Sequence, residues 1–487
     1  MSNELTQKSI NSFAWKTAQS ICSLGITFII QLILARMLMP EDFGLIAIVN
    51  VFMTLANTII ETSFSSSIIQ RDSISQKMLS SVFYLNIILS ISIYAVLFFV
   101  APLLANFYKE PLLIAILRVQ GLMVVMSALY SIQQALMNRK MRFKALFFCY
   151  FIGAVFQALT GIFMAYRGMG SWSLVISTCV GSTVTGLAII VAEFWKPSLY
   201  FSFALVKEAM NFSSKILVVR IVKKLYYNIR VLVIGKVYDA EVLGYFNKGF
   251  QFPTTAMTIV DGSLTSVSFT HLSKLQNDEK QFITSLRQYI RYAMFVCVPI
   301  MLGMILIAKP LVLFLLTARW LECVPYLQII CLSQLLVPLS IKMTAFEALG
   351  KSDLSMKLNL IGILASIVLL IASIPFDSPL VMTFSGVISS ILLQTLVTFV
   401  TAKKLQYSMF EQLKDTLCGL LPNVGMIFII LLASFLDFKE YYLLEVFAKT
   451  ILGVIGFVLV SVITKNPVFY SLFKIVKKTI QRKKIND

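Results

Sequence analysis

The chain has 487 residues, of which 58% are hydrophobic and only 13% charged, and its mean hydropathy is +0.85. A soluble domain carries roughly 25% charged residues, so this composition excludes a water-soluble globule and describes a chain that crosses a membrane many times. Lys and Arg number 42 against 23 Asp and Glu, a formal charge of +19, which in a membrane chain belongs to cytoplasmic loops rather than to a nucleic-acid partner.

The first residues, 1–11, are polar, and the apolar stretch 13–38 is too long and too polar for a cleaved signal. It reads as a first span. Apolar runs separated by short polar turns then predict fourteen helices: 12–38, 43–69, 78–105, 112–137, 143–166, 171–194, 207–235, 241–270, 285–308, 321–346, 355–375, 379–402, 413–436 and 442–464. The end of the ninth is soft, because the chain stays apolar from Pro310 to Leu316.

Alternate loops carry the basic residues. One set holds Lys77, Arg139, Lys140, Arg142, Lys144, Lys196, Lys274, Lys280, Lys351, Lys403 and Lys404, whereas the other has about one per loop, such as Arg36, Lys109 and Lys236. The first set and both termini are therefore expected on the cytoplasmic side, with an even number of spans. The basic tail, 467–487, is expected to rest on anionic headgroups, the alternative being a docking segment for a partner. No loop is long enough for a soluble catalytic domain. Seven cysteines stand singly, at 22, 149, 179, 297, 323, 331 and 418, and His271 is the one histidine. Neither a metal site nor a disulfide framework is expected.

The chain repeats itself at an offset of 200. ILARMLMPEDFGL at 33–45 lies over VIGKVYDAEVLGY at 233–245, aligning Arg36 with Lys236, Glu41 with Glu241 and Gly44 with Gly244. Further along, Thr54 meets Thr254, Thr58 meets Thr258, Glu61 meets Asp261 and Ser66 meets Ser266. Two hairpins of the same orientation, separated by six spans, imply parallel halves related by an axis along the membrane normal.

The paired hairpins also hold the polar stripes. Lys16, Ser20, Ser23, Thr27 and Gln31 share one face of the first span, and Asn50, Thr54, Asn57 and Glu61 one face of the second. In the eighth span Asn247, Gln251, Thr254, Thr258, Asp261 and Thr265 do the same. The seventh is the most unusual, with Arg220, Lys223, Tyr227 and Arg230 on one face and Lys224 beside it. Four such cations facing lipid would cost on the order of 10 kcal/mol even on a lenient insertion scale. The face must line a water-filled cavity or meet carboxylates. Glu61 and Asp261 are the intramembrane acids at hand, fewer than the bases. The surplus points to an anionic ligand, with hydroxyls and amides suited to sugar; the alternative is ion pairing between helices. No GxxxxGK[ST], GxSxG or HExxH motif is present, so neither an ATPase nor a hydrolase of those types is indicated.

Several segments resemble a known family. They are ARMLMPEDFGLIAI at 35–48, ALMNRKMRFKAL at 135–146, GMGSWSLV at 168–175, VIGKVYDAEVLGYFNKGFQFP at 233–253, RWLECVPYLQIICL at 319–332 and ALGKSD at 348–353. In order and spacing they resemble the bacterial polysaccharide transporter family of lipopolysaccharide or O-antigen flippases, within the multidrug/oligosaccharidyl-lipid/polysaccharide exporter superfamily. The resemblance implies an all-α fold of about fourteen helices: a lobe at 1–200, a second at 201–403, two appended helices at 404–466 and the tail. It implies a flippase in the cytoplasmic membrane that moves undecaprenyl-diphosphate-linked oligosaccharide by alternating access. Such a protein is no enzyme and holds no cofactor beyond a coupling H⁺ or Na⁺. It would act as a monomer, beside polysaccharide polymerase machinery. Arg220, Lys223, Lys224 and Arg230 would then meet the pyrophosphate. Lys16, Asn50, Thr54, Asn57, Tyr227, Asn247, Gln251 and Thr254 would line the glycan cavity, and Glu61 and Asp261 would carry the coupling ion or pin the cations. Arg230 stands where many relatives carry an acid, which leaves the coupling open. Other readings are a cation-coupled drug antiporter of the same superfamily, a peptidoglycan-precursor flippase and a membrane-embedded polysaccharide-assembly enzyme.

Overall fold

In hydrocarbon every backbone N–H and C=O must be satisfied within the chain, and a helix does this locally. The computed structural model accordingly contains helices and no strand among its described residues, which are 15, 25–70, 75–435, 441–472 and 474. Within helices at 61–70, 204–216 and 218–219 only the backbone is described.

The first six helices are α1 (Gly25–Met37, the described part), α2 (Pro40–Gln70), α3 (Gln76–Tyr108), α4 (Leu112–Arg139), α5 (Phe143–Tyr166) and α6 (Ser171–Ala192). They are followed by α7 (Phe203–Val237), α8 (Ala240–Lys274), α9 (Glu279–Leu306), α10 (Ala308–Leu315), α11 (Cys323–Gln334) and α12 (Ile341–Ala348). The last five are α13 (Ser352–Ser373), α14 (Pro379–Lys404), α15 (Met409–Cys418), α16 (Asn423–Ala433) and α17 (Tyr442–Ile463). Among the described residues, ten spans are long and apolar enough to cross a membrane, and the bent pair α15–α16 makes eleven. The other three predicted spans are α1 and the polar-striped α7 and α8, each of the latter 35 residues long.

Three departures from the predicted spans have local causes. The tenth span is two helices, α11 and α12, joined by a 3-10 turn at Val337–Ser340, because Pro338 has no N–H to donate. The thirteenth is bent by 41° between α15 and α16, where Gly419 ends one helix and Pro422 caps the next. The apolar segment after the ninth span forms α10, with Pro310 in its first turn, where a missing N–H costs little.

The chain packs as two compact units, Met1–Asn247 and Lys248–Asp487. In the first, α2 lies against α4 and α7, α3 against α4, and α5 against α6. Small residues bring α5 and α6 together: a Cβ on Gly153 would meet Thr185, and one on Gly161 would meet Ser177. The stretch from Glu193 to Ser202 runs along α3. Trp195 Nε1 donates to Gln76 Oε1 at 2.8 Å, Gln76 Nε2 donates to the Lys196 carbonyl at 2.7 Å, and the amides of Ser198 and Ser202 donate to the hydroxyls of Ser80 and Ser81. These bonds fix where α7 begins.

The sequence repeat has a structural counterpart inside this unit. A Cβ on Gly44 would stand 1.7 Å from the Ala240 carbonyl oxygen, and one on Gly244 would stand 1.9 Å from that of Pro40. Residues 40 and 240, 44 and 244 thus exchange the same contact, as a local two-fold relation between copies requires.

In the second unit α9 is central, touching α11, α12, α15, α16 and α17. Its core gathers Leu286, Ile290, Phe346, Val397 and Tyr407. Asp415 on α15 is buried and ties that helix to α9. Arg287 Nε donates to it at 2.7 Å, Arg291 Nε donates at 2.7 Å, and the Tyr407 hydroxyl donates at 2.7 Å. Arg287 also holds Glu411, the partner of Ser408 in the capping box that opens α15.

Candidate functional site

The cationic residues of α7 occupy the middle of a helix about 52 Å long. Arg220 to Arg230 spans about 15 Å of it, half the thickness of a hydrocarbon core. Lys223, Lys224 and Arg220 have exposed side chains, Tyr227 is 68% exposed, and Arg230 is half-buried. Among the described residues neither Lys223 nor Lys224 has an ion-pair partner. The face that the spacing picked out thus carries two ammonium groups with no carboxylate paired to them among the described residues. Asn228, on the same turn, is occupied locally, donating to the Lys224 carbonyl at 2.8 Å.

The first unit also holds the α2 stripe. Asn50 is exposed, Thr54 and Asn57 are half-buried, and the Asn57 side-chain oxygen accepts from the Ser127 hydroxyl of α4 at 3.5 Å. Thr58 bends its hydroxyl back to the Thr54 carbonyl at 2.6 Å, as Thr258 does to Thr254 at 2.7 Å. Offset copies thus keep the same local bond. Asn247 closes this unit, half-buried on α8. Lys16 lies outside the described residues, and the side chain of Glu61 is likewise outside them.

The second unit carries the rest of the α8 stripe. Gln251, Thr254 and Asp261 are half-buried. Asp261 accepts from the Ser340 hydroxyl at 3.5 Å, on the 3-10 turn that interrupts the tenth span. Thr254 donates to the Phe250 carbonyl at 2.6 Å.

Two lysines that the stripes did not single out are buried in this unit. Lys248 is 1% exposed; its ammonium donates to Gln251 Oε1 at 3.1 Å and lies 5.9 Å from the Trp320 ring centroid. Lys342, also 1% exposed, donates to the Thr398 hydroxyl at 2.8 Å. The available signal was a lone Lys in an apolar run, and its burial depends on helices far away in sequence. Among the described residues no group of three metal-ligating side chains forms. What the described residues of each unit offer is cations, hydroxyls and amides on α2, α7 and α8, groups able to hydrogen-bond anions and sugars.

A family model described as "Polysaccharide biosynthesis protein" matches residues 33–325, more than half of the chain. The lipopolysaccharide biosynthesis protein WzxC of Escherichia coli (strain K12) is 23% identical over 364 residues, 73% of this chain and 73% of that one. Among solved structures, the lipid II flippase MurJ in its inward closed conformation superposes with a TM-score of 0.77 at 18% identity, covering 92% of this chain and 98% of that one. An inward-facing multidrug resistance MATE family transporter of the MOP superfamily superposes with a TM-score of 0.63 at 14% identity, covering 79% and 94%. The all-helical, many-span architecture is thus the MATE-like fold. On the strength of the family model, the chain belongs to the polysaccharide biosynthesis protein family, built on the fold of the MOP superfamily.

Proposed function

We propose that the protein is a flippase that moves a polyprenyl-diphosphate-linked oligosaccharide across the cytoplasmic membrane by alternating access. The carrying observation is the strip on α7, where Lys223 and Lys224 stand exposed near the middle of a 35-residue helix with no ion-pair partner among the described residues. Ionisable residues within a membrane point by default to a functional site, unpaired cations suit an anionic substrate, and a pyrophosphate linked to sugar is the anion that the family membership suggests. The name of the E. coli relative points to a lipopolysaccharide repeat unit.

In this reading Arg220, Lys223, Lys224 and Arg230 bind the pyrophosphate, with Lys16, Asn50, Thr54, Asn57, Tyr227, Asn247, Gln251 and Thr254 around the glycan. Two lobes, 1–200 and 201–403, rock against each other, as the offset-200 repeat suggests, with 404–466 appended. The termini lie in the cytoplasm, following the basic loops. Translocation needs no bond-making residue, so the chain works as a transporter, coupled through H⁺ or Na⁺ at Glu61 and Asp261. It acts as a monomer that hands its product to a polymerase on the other face.

The test is substrate choice in proteoliposomes. Protein-dependent movement of a fluorescent undecaprenyl-diphosphate oligosaccharide supports the flippase. Gradient-driven efflux of an organic cation, with no movement of the glycolipid, would move the assignment to a drug antiporter.

A further inference from the structure

A groove of about 590 Å³ runs between α5 and α6, far from the α7 strip in sequence and lined wholly by apolar side chains. Ala145, Phe148 and Ile152 form one wall; Val184, Ala188 and Val191 form the other. Its origin is in the sequence. Glycines draw the two helices together from Gly153 onward, whereas toward the other end the small residues Ala145, Cys149, Ala188 and Ala192 line the groove between the larger Phe148 and Leu187. Phe148, Ile152, Leu187 and Val191 are 43–80% exposed, so the groove opens outward on an apolar face. From Ala145 to Ile152, and from Val184 to Val191, it is about 10 Å long. That is less than the roughly 15 Å depth of one leaflet of the hydrocarbon core.

The mouth of the groove is cationic. Arg142 Nη1 donates to the carbonyl of Ala192, the last residue of α6, at 3.2 Å. Arg142 and Lys140 together hold Glu193, whose side chain is only 7% exposed while theirs are 44% and 54% exposed. Lys144 stands exposed one helical turn above Phe148, its ammonium 5.6 Å from the Trp15 ring centroid. Two cations thus hold one inward-turned acid, and a third, Lys144, stands exposed at the start of α5. Trp15, beside Lys144, and Phe194, beside Glu193 in the chain, are both exposed aromatic residues of the kind that settle at a membrane interface.

We propose that this groove is a binding site for an anionic phospholipid. One acyl chain lies between Ala145 and Ala188, and the phosphate rests on Lys144 and the outward sides of Lys140 and Arg142. Charge complementarity at the mouth selects an anionic headgroup over a zwitterionic one, and a length within one leaflet suits a single acyl chain. The site does not depend on the transport reading of α7.

The test is the melting temperature of the full-length protein in mild detergent. It is titrated separately with phosphatidylglycerol, with phosphatidylcholine of the same acyl chains and with undecaprenyl diphosphate. Phosphatidylglycerol at about 100 times its dissociation constant should raise it by roughly 3–5 °C more than phosphatidylcholine. Ala188→Phe fills the groove and leaves every charge in place; it should abolish the difference. Ala145→Leu fills it from the opposite wall, so a folding failure of one variant leaves the other to decide. Lys144→Gln, which spares the grip on Glu193, should reduce the difference by at least half. Equal shifts with both phospholipids, a phosphatidylglycerol shift that survives groove filling, or a shift with undecaprenyl diphosphate alone would each overturn the proposal.

Discussion

At the scale of single residues, cost distinguishes cations paired with carboxylates from cations that are not. Each central Lys carries roughly 2.5–3.5 kcal/mol of insertion cost, and a stripe that only stabilised the fold would recover it through carboxylates. Arg287 and Arg291 do so at Asp415; Lys223 and Lys224 do not among the described residues. Substituting both with Ala should therefore lower transport at least tenfold while leaving the melting temperature unchanged, measured side by side on purified protein. Glu193 behaves in the opposite way. Burial alone would raise its pKa, but hydrogen bonds and attraction from Lys140 and Arg142 outweigh that and lower it below the usual 4.5. A carboxyl depressed in the folded state contributes stability that is complete above pH 4.5 and is lost as pH falls through its lower folded value. Glu193→Gln should lower stability by about 1–3 kcal/mol at neutral pH. It should also flatten the acid limb of a pH–stability profile.

At the scale of elements, the helices were legible because long apolar runs between polar turns admit one local structure in a bilayer. Their interruptions were less so. Pro338 and Pro422 were visible as residues, but apolar sequence on both sides hid the breaks that they cause. The stretch beside α3 could not be read at all, since the serines that hold it, Ser80 and Ser81, look like any small residues of a span until the fold pairs them. The offset-200 repeat was readable, and its packing makes a symmetric prediction. Gly44→Ala and Gly244→Ala each drive a methyl into a backbone oxygen and should each cost about 3 kcal/mol. Gly262→Ala, with nothing within 4 Å of its added carbon, should be neutral or stabilising by up to about 1 kcal/mol. Thermal unfolding of the three variants distinguishes them. Asp415→Asn leaves Arg287 with the exposed Glu411 and removes the acid that Arg291 pairs with. It should cost about 3 kcal/mol and expose the start of α15 to limited proteolysis.

For the whole molecule, composition alone excluded a soluble fold, and charge asymmetry with the repeat pointed to two related halves. The candidate site was legible where helical spacing carries the information, as on α7. It was hidden where burial decides: Lys248 and Lys342 became conspicuous only once Trp320 and Thr398 were seen beside them. In the proposed function the α7 cations carry a lipid-linked pyrophosphate glycan through the membrane. The most direct test of this reading is transbilayer movement of a fluorescent undecaprenyl-diphosphate oligosaccharide in proteoliposomes, with wild type beside Lys223→Ala/Lys224→Ala and with and without a pH gradient. Wild type should show protein-dependent movement that the double variant loses while staying folded. Equal movement by the folded double variant, or none by wild type, would contradict it.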